Sequence, residues 1–296
     1  MKKKKRTLKK KKFKKKFKYL FIIFIILIII ITGLIIFSKK QNTNVSKKKK
    51  TIKDVYYNKC NKLDYCNNKN INRYLAYHKK NDDLNFEDIV TRVNLNLDYS
   101  FYTHTKKAKD LNKDYILVNK YYYLDENYIP NNLENIPEEY SRSGMKLVSS
   151  AKEAFVKLAR DARKNNTPVI AMSSFRSYDY QVDLYDRYKR KEGKNAADTY
   201  SARPGFSEHQ TGLCVDVYDG EIDYTSFEKS DSFKWMSDNA YKYGFILRYP
   251  KGKDSITGYQ YESWHYRYVG QKIAKYIKEN DITYDEYYAK FIENNY

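Results

Sequence analysis

The strongest pattern in the chain is an apolar run at residues 19–37, interrupted only by Thr32 and Gly33. As a helix it is about 28 Å long, the thickness of a bilayer's hydrocarbon core. Periodic segments resume further on. Leu84, Ile89 and Val93 predict one short helix within residues 70–97, starting near Asp82 or Asp83. Residues 115–118 and 121–124 read as strands, and Pro130 and Pro137 bracket a loop. From Ser143, Met145, Val148, Phe155, Leu158, Ala159 and Ala162 recur at helical spacing up to Asn165. A buried strand at 168–172 then leads to a helix at 179–191 that ends at Gly193. A further helix at 232–243 stops at Gly244, a left-handed cap, before a strand at 245–248. A strand at 264–269 and a helix at 273–277 follow. Helices and strands do not alternate as βαβ units, so the class is α+β.

Charge changes this picture only once it is located. The formal charge is +21, but 19 of the 57 Lys and Arg residues lie in the first 50 positions, which hold no acid. Beyond them 38 basic residues face 36 acidic ones. The excess belongs to a tail, which excludes a folded nucleic-acid-binding face. The tail makes the first 18 residues a cytoplasmic segment, with everything after the apolar run outside. The run is longer than a cleavable signal core and is followed by Ser-Lys-Lys, which favours a retained anchor. Residues 41–53 are polar and lysine-rich, a flexible tether above the membrane. The 33 tyrosines follow the same AT-rich codon bias as the abundant Lys, Asn and Ile, and carry no functional reading. Cys60 and Cys66 fit a local disulfide or two reduced thiols equally well, and are too few for a metal site.

Chemistry concentrates in residues 201–218 and 262–265. Two of the four histidines in the chain fall there; His78 and His104 lie in polar, surface-like context. In residues 213–218, Leu213, Val215 and Val217 alternate with Cys214, Asp216 and Tyr218, so the first three face a core. Gly212 supplies a turn that brings His209 back over the other side. His265 comes from a neighbouring strand. His209, Asp216 and His265 therefore form a three-ligand set that suits one catalytic zinc ion with an open position. Glu262 lies three residues before His265, which on a regular strand would put it on the opposite face. It is expected at a bend or just before the strand begins, as general base.

These residues also carry a resemblance. Ser207-Glu-His209-Gln-Thr-Gly212-Leu-Cys-Val-Asp216, then Glu262-Ser-Trp-His265, resembles the signature of the VanY-type D-alanyl-D-alanine carboxypeptidases. Ser174-Phe-Arg176-Ser-Tyr-Asp-Tyr-Gln181 is similar to the same family's upstream segment. Cys214 departs from the small residue common there. The resemblance covers residues 112–281 and implies a compact zinc-peptidase domain of the hedgehog/DD-peptidase type. It implies hydrolysis of the C-terminal D-alanine bond of peptidoglycan stem peptides, with LD-carboxypeptidase or endopeptidase action, or a non-catalytic wall-peptide-binding module, as alternatives. Arg176 is expected to stabilise the oxyanion, unless it forms a structural ion pair. Gln181 and Ser207 are expected to bind substrate backbone, unless Ser207 caps the turn before His209. The implied layout is a basic tail (1–18), an anchor (19–37), a tether (38–69), an extension (70–111), the peptidase domain (112–281) and a C-terminal tail (282–296).

Overall fold

A computed structural model describes residues 2–43 and 51–293; of the tether expected at 38–69, residues 44–50 lie outside the described residues. The chain divides into two units, Met1–Tyr56 and Tyr57–Tyr296. The first contains helix α1 (Lys2–Thr43), within which Lys14–Lys39 is long and apolar enough to cross a membrane. The run predicted from sequence is thus helical throughout.

Helix α2 (Ile52–Cys60) leads to a disulfide between Cys60 and Cys66. Where the periodicity predicts one helix in residues 70–97 there are two, α3 (Ile71–His78) and α4 (Phe86–Asn94). Asp82 and Asp83 occupy the turn between them, and α4 is capped by Asn85, whose side chain accepts from the Asp88 N–H at 2.9 Å. Strand β1 (Lys106–Lys107) pairs in parallel with β2 (Tyr122–Tyr123). Residues 115–118 are not a strand. Ile116, Leu117 and Val118 are buried in a loop, and the Ile116 carbonyl accepts from Arg267 Nη2 at 2.7 Å, a bond a sheet partner would otherwise make.

Strands β3 (Leu133–Asn135) and β4 (Lys146–Val148) pair antiparallel, so Met145 and Val148 precede the helix instead of opening it. Helix α5 starts at Ser149 and runs to Lys164 (Ser149–Lys164). After β5 (Ile170–Ser173) come α6 (Tyr178–Glu192) and α7 (Lys194–Tyr200), separated by Gly193 at φ +83°. Strand β6 (Cys214–Tyr218), helix α8 (Asp231–Asn239), strand β7 (Phe245–Leu247), the short α9 (Asp254–Thr257) and strand β8 (His265–Tyr268) follow. Helices α10 (Gln271–Asn280) and α11 (Tyr284–Phe291) end the described chain. One 3-10 turn separates α8 from Gly244, whose φ of +87° makes it the expected left-handed cap.

The main sheet has order β5-β6-β8-β7, with every neighbouring pair antiparallel. Leu213, Val215 and Val217 join the core with Phe155 and Leu158 of α5, Phe245 of β7 and Tyr266 of β8. The alternation that buries them points Cys214 and Asp216 to the other face. The sheet therefore has one face for packing and one for chemistry, and the architecture is the mixed helix and strand class read from the sequence.

Candidate metal centre

The register across the sheet sets the site. Asp216 of β6 lies opposite His265 at the start of β8, and opposite Ser173 of β5 on its other side. His209 arrives from a 3-10 turn at Glu208–Thr211 that closes on Gly212 at φ +67°. The left-handed turn favours glycine here; a Cβ on Gly212 would also displace Leu133 Cδ2, 2.9 Å away. Glu262 precedes β8 in an irregular segment, and its backbone N–H donates to the Tyr249 carbonyl. That position just ahead of the strand is one of the two that the spacing predicts for it.

The donors converge. His209 Nε2 lies 3.4 Å from Asp216 Oδ2, and His265 Nδ1 lies 3.0 Å from Asp216 Oδ1. A tetrahedron with bonds of about 2.0 Å has edges of about 3.3 Å, so each separation is close to a ligand–ligand edge around zinc, the two imidazoles meeting different oxygens of Asp216. His209 Nδ1 is 2.6 Å from the Ser174 carbonyl, which can only accept. Nδ1 therefore carries a hydrogen, which leaves Nε2 as the nitrogen a metal would take. Burial opposes ionisation of Asp216, but His209 and Arg176 outweigh it and hold its carboxyl well below the usual range. The donor set thus fits a metal on its geometry, tautomer and charge.

Glu262 is different. Its Oε2 lies 3.7 Å from His265 Nδ1, and burial raises its carboxyl to about 7 although His265 and Arg176 pull the other way. It has no hydrogen-bonded cation among the described residues. Arg176 donates through Nη2 to Asp216 Oδ2 at 2.6 Å and to Ser173 Oγ at 2.7 Å. Gln181 is buried, with Nε2 on the Ala202 carbonyl at 2.8 Å and Oε1 unpaired. Ser207 precedes the His209 turn but makes no side-chain cap bond, which removes its capping alternative. All seven residues singled out from sequence line one cleft of about 600 Å³. His78 and His104 lie elsewhere, the latter exposed and stacked on Tyr99 at 3.8 Å.

Sequence reasoning missed Glu208. It is fully buried, with Oε1 accepting from Arg248 Nε at 2.8 Å and Arg267 Nη1 at 3.0 Å. Its Oε2 lies 3.7 Å from His265 Nε2, and neither atom has another partner. An Nε2–H would therefore point at a carboxylate and leave the Nδ1 lone pair toward Asp216. The signal was weak because an acid beside a histidine is usually solvated, and its two arginines lie 40 and 59 residues away. Tyr249 was missed as well; its ring is 4.9 Å from that of His265.

A sequence profile of the VanY family, described as D-alanyl-D-alanine carboxypeptidase, matches residues 144–271. The chain is also similar to the solved VanY D,D-pentapeptidase of a VanB-type vancomycin-resistance cassette in complex with Zn(II). The identity there is 32% and the TM-score 0.51, over 59% of this chain and 98% of that one. The chain belongs to the VanY carboxypeptidase family. It is similar, too, to the LdcB LD-carboxypeptidase structure, at 42% identity and a TM-score of 0.55, covering 59% of this chain and 85% of that one. Among curated relatives, the putative carboxypeptidase YodJ of Bacillus subtilis (strain 168) is 42% identical over 190 residues, 59% of this chain. The chain spans 66% of that relative's length, just under two thirds. The zinc carried by the VanY structure agrees with the donor set found here.

Proposed function

We propose that this VanY-family chain is a membrane-anchored zinc carboxypeptidase that removes the C-terminal D-alanine of peptidoglycan stem peptides. The observation that carries the reading is Glu262, a buried carboxylate without a hydrogen-bonded cation, beside a convergent His209–Asp216–His265 set in an open cleft. A zinc ion held by those three residues would polarise the scissile carbonyl and acidify water. The remaining work falls to side chains. Glu262 Oε2 takes the proton of the attacking water and returns it to the leaving amine. Arg176 Nη1 has no partner among the described residues and donates to the oxyanion in this reading, while Nη2 stays on Asp216. Ser207 and Gln181 hold the peptide backbone across the cleft. The Tyr249 ring packs on His265 and limits its rotation.

A second reading, LD-carboxypeptidase action on tetrapeptide stems, is favoured by one observation. Identity to the LdcB structure is 42%, against 32% to the VanY structure. Incubating the full chain in detergent with defined pentapeptide and tetrapeptide stems and weighing the products separates the two. Loss of one alanine from the pentapeptide is expected; trimming of the tetrapeptide alone would move the assignment to LD, and no product from either stem would leave a binding module. His265→Ala is expected to empty the zinc site, and unchanged zinc by elemental analysis would remove His265 from it.

The membrane part of the proposal rests on Lys14–Lys39 and the thirteen basic residues in positions 2–18. The basic end stays in the cytoplasm and residues from Ser38 onward face outward. Protease added to protoplasts should then remove the bulk of the chain. Full protection would reverse the topology, and a mature N-terminus near Ser38 would make the helix a cleaved signal.

A further inference from the structure

Cys60 and Cys66 are bridged, so Cys214 is the free thiol among the described residues. It is fully buried and stands two positions before Asp216 on β6, so thiol and carboxylate leave the strand on the same side. It is not among the residues that line the cleft, which removes substrate contact as its role. Its neighbours are instead the two imidazoles: the donor atoms of His209, Cys214 and His265 all lie within 4.8 Å of one another. A triangle with that edge has its centre about 2.8 Å from each corner. Small side-chain rotations therefore bring one ion to ordinary bonding distance, about 2.3 Å for sulfur and 2.0 Å for nitrogen. His265 Nε2 is buried, has no hydrogen-bond partner and lies 3.7 Å from Glu208 Oε2, so it is still free to take a metal.

We propose that Cys214 gives the centre a second, softer donor set, in which His209, Cys214 and His265 hold a thiophilic cation such as cadmium. The proposal rests on the zinc-site reading above, because the two sets share both imidazoles and differ in using Cys214 or Asp216. Thiolate favours soft ions and carboxylate harder ones, so exchanging one arm for the other changes which metal is preferred. On binding, the thiol proton leaves to solvent and a sulfur–metal bond forms, with no electron transferred. Since His209 offers a metal only Nε2, its Nδ1 being held by the Ser174 carbonyl, the soft cation displaces zinc. It also leaves Asp216 without a metal, beside Arg176 and His265 Nδ1, which dismantles the zinc shell next to Glu262.

The test uses the full chain in detergent, loaded with zinc and titrated with cadmium alone. Metal content is followed by elemental analysis, and sulfur ligation by ultraviolet sulfur-to-cadmium charge-transfer absorbance. The wild-type chain is expected to release one zinc for each cadmium taken up and to develop the band. Cys214→Ala and the closer-sized Cys214→Ser should hold zinc, lack the band and require more cadmium to release it. Cadmium uptake by the wild type without the band overturns the role of Cys214 and leaves the zinc site standing. So does zinc release at the same cadmium concentration in all three chains. A wild-type chain that takes up neither metal sinks both the zinc reading and the set built on it.

Discussion

Two clusters of buried charge lie side by side in the second unit, and they are built on opposite principles. In one, Arg248 and Arg267 face Glu208 and Asp285. Arg248 Nη1 reaches Asp285 Oδ2 at 2.6 Å, while Asn119 Nδ2 fills Asp285 Oδ1 at 2.8 Å. Two fixed positive charges meet two negative ones. Burial opposes ionisation of Glu208, but Arg248 and Arg267 hold its carboxyl well below the usual range. In the other, Asp216 and Glu262 face a single fixed cation, Arg176, across two imidazoles. Here burial wins at Glu262 and raises it to about 7. Equal burial with unequal compensation separates scaffold from chemistry: a balanced cluster holds its shape, whereas an excess of carboxylate has a use for a metal and a mobile proton. The clusters meet at one contact, Glu208 Oε2 to His265 Nε2 at 3.7 Å.

The largest expected effect comes from Glu262→Gln, which keeps the size of the side chain but cannot accept a proton. Turnover of stem peptide should fall by roughly 10²–10⁴-fold, with zinc content and melting temperature unchanged. Loss of zinc in this variant would make Glu262 a ligand. Parental turnover would remove it from water activation, and the contrast between the clusters would then lose its functional side. Arg248→Met is the matching break in the balanced cluster. It strands Asp285, leaves Glu208 with Arg267 alone, and should cost about 3–5 kcal/mol of stability. A denaturant titration that finds less than about 1 kcal/mol would show that those charges were already compensated by water or neighbours.

How far the two clusters were legible follows from their range in sequence. The metal centre uses a short-range code: His209 and Asp216 are seven residues apart with a glycine turn between, and Glu262 and His265 sit three apart. Alternation in residues 213–218 fixes the face, and the place of Glu262 ahead of its strand could be anticipated from spacing. The balanced cluster has no such code. Arg248, Arg267 and Asp285 come from three separate elements, and each alone reads as an ordinary surface charge. The same limit explains the errors in the fold. Met145 and Val148 match a helical period, but pairing of β4 with β3 overrides it. Residues 115–118 have strand composition, yet Arg267 takes the Ile116 carbonyl. In each case a partner distant in sequence decided the outcome.

Glu208→Gln tests the contact between the clusters. The amide still offers Oε1 to the arginines but places a neutral group opposite His265 Nε2. Zinc affinity should drop by about 10–100-fold, the usual cost of losing a partner behind a metal-bound histidine. A chain with unchanged zinc affinity and lowered stability would show that Glu208 serves the arginines only.

The smallest effect is expected at the far end of the balanced cluster. Thr283 begins α11 with a capping box: its hydroxyl accepts from the Glu286 N–H, and the Glu286 carboxylate accepts from the Thr283 N–H at 2.7 Å. The box fixes the first turn of the helix, and Asp285 stands in that turn. Thr283→Ala should therefore cost about 1 kcal/mol, the typical value of an N-cap. It reaches the arginines only by loosening one of their two acids, and it touches no residue of the metal centre. A modest fall in melting temperature with unchanged zinc affinity and turnover is the expected result, because Glu208 still holds both guanidiniums in place. If turnover falls by tenfold or more while the chain stays folded, disorder at Asp285 is passing through Arg248 and Glu208 to His265. The two clusters would then be one cooperative unit, and the division between scaffold and chemistry would have to be redrawn at Asp285.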